Sequence, residues 1–420
     1  MKNLYDRREI AEGVHFTSIT DKKFKNNRIS VLFITSLSEQ AAENAVIPRM
    51  LSKCCERYPT MAELNRRLSE LYSASVTWSC SAFGDEQILE LDAAALGSRF
   101  ALDNEDIVGE TAKILRDCIF APYFEDGLFP AGSLDIEKKN QIDFNNAEIN
   151  DKSFYAFFKA YQEAVKGEPA RLRATGTNED TEAITPESAL AAYRRMTAAA
   201  PVEIICIGES DFDGVEKIFT DAFRSLERKA AKRTFSRKSP PKSELSRVNE
   251  KLDIEQSKLV MIFKTPVKNR FALNVMSGLY GGTELSKLFT IVREKMSLCY
   301  YCYSMGDRIK GMLTVRCGVD AKNLDKAEKE CLSQLEEIKK GNFTDDDIEK
   351  VKLDTINTLR SSYDTINGTL ARSLAWILCE EEPMTTDEYV ERISAVSRED
   401  IIEAADSLVL DTVYTLGPQE

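Results

Sequence analysis

The chain has 420 residues, a formal net charge of −13 and the composition of an ordinary globular protein. That length allows two to four domains with sizeable cores, and an acidic surface repels phosphate, which argues against nucleic acid as a partner. No apolar run approaches the roughly 18–20 residues that span a bilayer, so no membrane association is expected. The N-terminal stretch MKNLYDRREIAEG lacks the apolar core of a signal peptide. Ten cysteines without a small-scaffold spacing suit a reduced, cytoplasmic protein. A single histidine, His15, is present. An H-x-x-E-H zinc site needs two imidazoles on one helix face, so the chain cannot build one. No G-x-S-x-G or similar nucleophile turn accompanies His15, which reads as a surface or strand residue.

In chain order, residues 28–35 (RISVLFIT) read as a buried strand. Thr60 and Glu63 form a capping-box candidate, after which Leu64, Leu68 and Leu71 share one helix face. SASVTWSCSA and QILELDAAAL read as paired strands. The first half closes with ITPESALAAYRRMTAAAPVEIICIG (184–208), in which Thr185 and Pro186 start a helix that leads into a β-branched strand. Residues 225–247 then change character: clustered Lys and Arg, Pro240–Pro241 and few apolar residues read as a solvated linker.

The second half repeats the order. Residues 258–264 give a strand, CYYCYSM and GMLTVRCGV give a strand pair, and 324–340 and 345–359 give long helices. VSREDIIEAADSLVLDTVYTLG (396–417) again sets a capped helix, now from Ser397, before a closing strand. The repeat predicts an α+β fold of two homologous domains, each a mainly antiparallel sheet with helices packed on one face. The domains are expected at 1–224 and 251–420, joined by a linker over 225–250.

GLYGGTELSKLFTIVREKMSLCYYCYS (278–304) resembles the glycine-rich loop, helix and R-E-K-x-G-L-x-Y segment in the second domain of insulinase/pitrilysin-type zinc metallopeptidases, a family that includes the mitochondrial processing peptidases. The glycine pair, Leu288–Phe289, Arg293-Glu294-Lys295 and Tyr300 fall in register, with Ser297 where glycine is usual. IFAPYF is similar to a turn of the same family. Active members carry H-x-x-E-H after the first strand and a further glutamate downstream. Here ENAVIPRMLSKCCERYPTMAEL puts Ala45, Pro48 and Arg49 in those places, and Pro48 is expected to disturb the helix. Glu137 and Glu148 remain on the helix that would hold the distal glutamate, and both read as solvated.

The resemblance implies a clamshell of two domains and a non-catalytic subunit, inactive alone, that contributes to endopeptidase activity with an active partner. It implies no cofactor in this chain, because the partner would hold the zinc. Tyr300 is the candidate donor to the oxyanion that develops on the peptide carbonyl, and Arg293 the candidate to orient the phenol and hold a neighbouring carbonyl. Tyr301 competes with Tyr300, since adjacent strand residues face opposite sides. Gly281 and Gly282 fit neither nucleotide-binding glycine pattern and are candidates for close approach of substrate backbone. Ala74 and Val76 lie on the segment expected to be an edge strand that binds extended peptide. Cys299 and Cys302 form a C-x-x-C, but strand alternation places positions i and i+3 on opposite faces, so a shared metal is not expected. Two other roles remain open: a structural subunit, as the core proteins of respiratory complex III are to this family, and a stand-alone peptide-binding protein, including a homodimer.

Overall fold

The computed structural model describes residues 6–233 and 238–419. They form two compact units, each around its own sheet. The first draws on Met1–Asn146, Leu172–Phe235 and Thr365–Leu378; the second draws on Ala147–Arg171, Ser236–Asp364 and Cys379–Glu420. Each half of the sequence therefore lends one helical segment to the other half's unit.

The first unit's strands are β1 (Asp6–Ala11), β2 (Val14–Thr20), β3 (Asn26–Ser36), β4 (Ser75–Phe83), β5 (Glu86–Leu96) and β6 (Val202–Gly208). Their spatial order is β1-β2-β6-β3-β5-β4, antiparallel throughout except that β2 and β6 run parallel. On β3, Ile29, Val31 and Phe33 face the main helical layer, while Leu32 and Ile34 face the opposite side. A strand buried on both faces reads as an unbroken apolar run, as residues 28–35 do. The Thr60 capping box forms as expected, with the Glu63 amide donating to the Thr60 hydroxyl and the Thr60 amide donating to the Glu63 carboxylate.

The second unit's strands are β7 (Ser246–Leu252), β8 (Ser257–Lys264), β9 (Cys299–Asp307), β10 (Met312–Val319) and β11 (Val409–Pro418), in the order β7-β11-β8-β10-β9. β7 begins inside the segment read as linker. Its residues alternate between half-buried and exposed, and it lies parallel to β11 at the sheet edge. The basic residues before it are not simply solvated. Arg233 donates to both carboxylate oxygens of Glu86 at 2.8 and 2.6 Å, and the Lys238 ammonium donates to the Pro266 carbonyl at 2.9 Å. A charge run that ties down its own backbone looks, in sequence, like one that does not.

The helical coverage also differs from expectation. Each sheet is covered on its second face as well, by the helix lent from the other half of the sequence. Lys152–Ala164 sets Ala156, Ala160 and Ala164 against Val260, Ile262, Met312 and Tyr414 of the second sheet. Ile366–Leu378 sets Leu370 and Leu378 against Leu32, Ile34, Ile205 and Ile207 of the first. Small residues every four positions let the first of these helices approach closely. Its C-terminal end is pinned by Lys264, which is 1% exposed and donates to the carbonyls of Ala164 at 2.7 Å and Pro240 at 2.8 Å beside the buried Asp411 carboxylate at 3.3 Å.

Candidate functional site

The stretch expected to match a metal site is a helix, Ala41–Leu51, with Ala45, Pro48 and Arg49 all buried. Pro48 does not break it. The helix is buried on nearly every side, and that burial outweighs one lost backbone hydrogen bond three residues before its end. Glu137, on the helix Ala131–Ala147, is not solvated as expected: it is 6% exposed. Its carboxylate lies 3.9 Å from the Arg49 guanidinium and 3.8 Å from the Lys53 ammonium. The guanidinium also sits over the Trp78 ring of β4, with Cζ 3.9 Å from the centroid. Burial lowers the Arg49 pKa from its ordinary value, and Glu137 opposes that shift. Glu148 lies in a short helical turn, Glu148–Asn150, beyond this cluster.

This arrangement does not fit a metal ion. Ala45 and Pro48 carry no ligand atom, and a guanidinium is a permanent cation that cannot coordinate one. The positive charge facing Glu137 comes from arginine. Arg49→Leu is expected to strand the Glu137 carboxylate with Lys53 alone and to lower stability by about 1–3 kcal/mol. The urea midpoint measures this, with the addition of Glu137→Gln recovering part of the loss.

The second cluster surrounds β9, one of the two edge strands of the second sheet. The helix before it, Leu288–Lys295, is wound as π-turns: the Met296 amide reaches back to Ile291 at 2.9 Å. Arg293 lies in its last turn, half-exposed, stacked on Phe289 with Cζ 4.5 Å from the ring centroid and with its Nε 3.7 Å from Glu294. The chain then turns through Ser297 at φ 49°. This left-handed backbone explains why glycine is natural at that position. Ser297→Gly should raise stability by up to about 1 kcal/mol, read as a higher thermal midpoint.

The register of β9 against β10 slips at Tyr300: Cys299 pairs with Val319 and Tyr301 with Gly318, leaving Tyr300 without a partner. Such a bulge re-aims one side chain. Tyr300 is 62% exposed, and its hydroxyl donates to Asp320 Oδ1 at 3.1 Å. That hydrogen bond raises the phenol's pKa, so the group stays a proton donor at neutral pH. Tyr301 is committed to packing. Its hydroxyl is 2.9 Å from the Ser153 hydroxyl, its ring covers Gly318, and burial pushes its pKa up to about 12. Arg293 and Tyr300 lie on adjoining elements, but among the described residues no hydrogen bond joins them. The phenol's partner is Asp320, which the sequence reading did not single out. A helix-start aspartate gives no signal of a partner twenty residues upstream.

Gly281 is buried in the π-wound turn Gly278–Gly282, and a Cβ there would lie 2.6 Å from the Ser304 backbone nitrogen and 2.7 Å from Leu288 Cδ1. That close approach of turn to strand requires glycine by itself. Gly282 is exposed beside it. Ala74, buried, immediately precedes β4, and Val76 packs half-buried against the first core. β4 is one of the two edge strands of the first sheet, hydrogen-bonded to β5 on one side only. His15 lies on β2, its Nδ1 3.5 Å from Glu203, with burial lowering its pKa.

Residues 183–353 match the family model "Peptidase M16 inactive domain". Over 407 residues, covering 96% of this chain and 95% of the relative, the chain is 27% identical to a Bacillus subtilis (strain 168) protein named "Probable inactive metalloprotease YmfF". A second protein of that organism, "Uncharacterized zinc protease YmxG", is 28% identical over 164 residues, 38% of this chain and 40% of its own length. Among solved structures, a conserved protein from Enterococcus faecalis V583 superposes with a TM-score of 0.91 at 26% identity, covering 99% of both chains. A peptidase M16 inactive domain from Pseudomonas fluorescens shares the fold, with a TM-score of 0.80 at 16% identity over 99% of this chain and 98% of that one.

Proposed function

We propose that this chain, which is similar to M16-type peptidases but lacks the two histidines of their metal-binding motif, serves as the non-catalytic subunit of a two-chain peptidase. The observation that carries this reading is the Arg49–Glu137 pair: in the alignment that the resemblance suggests, a buried cation takes a position where active members carry a metal ligand. The exposed, protonated Tyr300 supports the second half of the proposal. A phenol raised on a bulge at a sheet edge can donate to an oxyanion in a site completed by another chain. Arg293 offers a fork of N–H groups for a substrate carbonyl, and the unpaired edge of β4 offers main-chain hydrogen bonds to an extended, unfolded peptide. The expected partner is an active homologue bearing H-x-x-E-H, and the expected setting is a bacterial cytoplasm, where thiols stay reduced.

Affinity purification of the chain from its native cell, followed by peptide hydrolysis assays, tests this. An H-x-x-E-H homologue should co-purify, and cleavage should appear in the mixture and in neither the isolated chain nor a mixture lacking it. A homodimer that binds peptide without hydrolysis would replace this reading with that of a stand-alone peptide-binding protein. Chelator-sensitive cleavage by the purified chain alone would defeat both.

A further inference from the structure

The bulge at Tyr300 has a second effect. An extra residue in a strand shifts everything beyond it to the other face, so Cys299 and Cys302 both point into the core of the second unit. The alternation that sets positions i and i+3 on opposite sides does not hold here. Cys317 on β10 lies directly across from Cys302, and Cys331, on the helix Leu324–Lys339, comes down over both. The Sγ atoms of Cys299, Cys302 and Cys317 lie within 4.8 Å of one another. Those of Cys302 and Cys317 are 3.1 Å apart, and Cys331 Sγ is 3.6 Å from Cys302 and 3.9 Å from Cys317. All four are buried, and all four are thiols rather than disulfides.

Four sulfurs held 2.3 Å from a tetrahedral ion sit about 3.8 Å from each other. The separations among Cys302, Cys317 and Cys331 bracket that value, and Cys299 lies within 4.8 Å of Cys302 and Cys317. A pair of core cysteines is ordinary, because a thiol packs like a small apolar group. Four from three separate elements, with Cys299 and Cys331 both gathered on the Cys302–Cys317 pair, offer the donor set of a thiolate site.

We propose that Cys299, Cys302, Cys317 and Cys331 form a buried binding site for one thiophilic metal ion, Zn(II) or Cu(I). Binding displaces thiol protons to solvent, with no change in oxidation state of sulfur or metal. Soft ligands with no carboxylate or imidazole in the cluster select these ions over magnesium, calcium or manganese. The Tyr280 hydroxyl donates to the Cys331 carbonyl at 2.9 Å and fixes that turn of the helix. An ion here would clamp β9, β10 and the covering helix together one residue from Tyr300, and so hold the bulge that exposes the phenol. The site stands on sulfur geometry alone, independent of any peptidase role.

The full-length protein, produced in zinc- and copper-replete medium and purified anaerobically without a metal-affinity tag, is analysed by elemental mass spectrometry. About one zinc or copper per chain is expected. Cys331→Ser and Cys299→Ser should each lower metal affinity by at least about tenfold, while Cys206→Ser, in the other unit, retains it. Since a core serine can unfold the unit, the metal-stripped wild-type protein is also titrated with Cd(II) and, separately, with anaerobic Cu(I). A thiolate-to-metal charge-transfer band saturating at one equivalent supports the site, and competition between Zn(II) and Cu(I) identifies the ion. Folded wild-type protein that takes up neither, or a Cys302–Cys317 disulfide in the protein as isolated, overturns it.

Discussion

Tyr300→Phe is expected to lower turnover of the reconstituted two-chain peptidase by about 10- to 1,000-fold while leaving assembly intact. The change removes one hydroxyl from a side chain that is 62% exposed, so neither core packing nor the sheet ladder loses a contact. What is lost is a donor aimed at the charge that grows on the scissile carbonyl. Such a loss falls on kcat more than on KM, because the bond strengthens as the oxyanion forms. In the isolated chain the phenol donates to Asp320, and it must leave that carboxylate to serve substrate. Asp320→Ala should therefore be tolerated far better than Tyr300→Phe. Tyr301→Phe, which loses only the contact to Ser153, should behave like wild type in turnover. Equal kcat for Tyr300→Phe and wild type, in a complex of unchanged composition, would remove the phenol from the chemistry.

Lys264→Met should destabilise the second unit by about 3–5 kcal/mol, the usual consequence of removing one partner from a buried ion pair. The Lys264 side chain is 2% exposed and that of Asp411 is fully buried, 3.3 Å away. Asp411 keeps hydrogen bonds from the Lys242 backbone amide and the Thr412 hydroxyl, each at 2.8 Å, and the Lys242 ammonium 3.9 Å away, but it loses its nearer and fully buried cation. The same substitution frees the Ala164 carbonyl at the end of the helix Lys152–Ala164. For a unit of this size the thermal midpoint should fall by roughly 6–20 °C. Adding Asp411→Asn removes the stranded charge and should restore part of the loss. A single variant that melts within a degree or two of wild type would show that the pair carries no net stability.

Local patterns made much of the fold legible. The strand at β3 announced itself as an apolar run, and the helix starts at Thr60, Thr185 and Ser397 were written in their capping residues. Those signals depend on residues a few positions apart, and no distant partner has to be known. The strand β7 was hidden because its alternating pattern begins within a run of charge and proline, and an edge strand needs only one apolar face. Glu137 was misread for a different reason. Its own helix is polar, and only the approach of Arg49 and Lys53, more than eighty residues earlier in the chain, makes its burial tolerable. The thiol cluster was dismissed on sound alternation. A one-residue bulge reverses that argument, and bulges are set by the partner strand.

The sequence by itself determined that this chain cannot assemble a two-histidine zinc site, since one histidine is present, and that two similar α+β halves follow one another. Composition and periodicity suffice for such statements. Only the tertiary structure decided that Arg49 faces Glu137, that each sheet is covered on its second face by a helix from the other half, and that Tyr300 stands out while four thiols gather beneath it. Each of these depends on which surfaces meet, and contacts between residues far apart in the chain leave no mark in the spacing of either one.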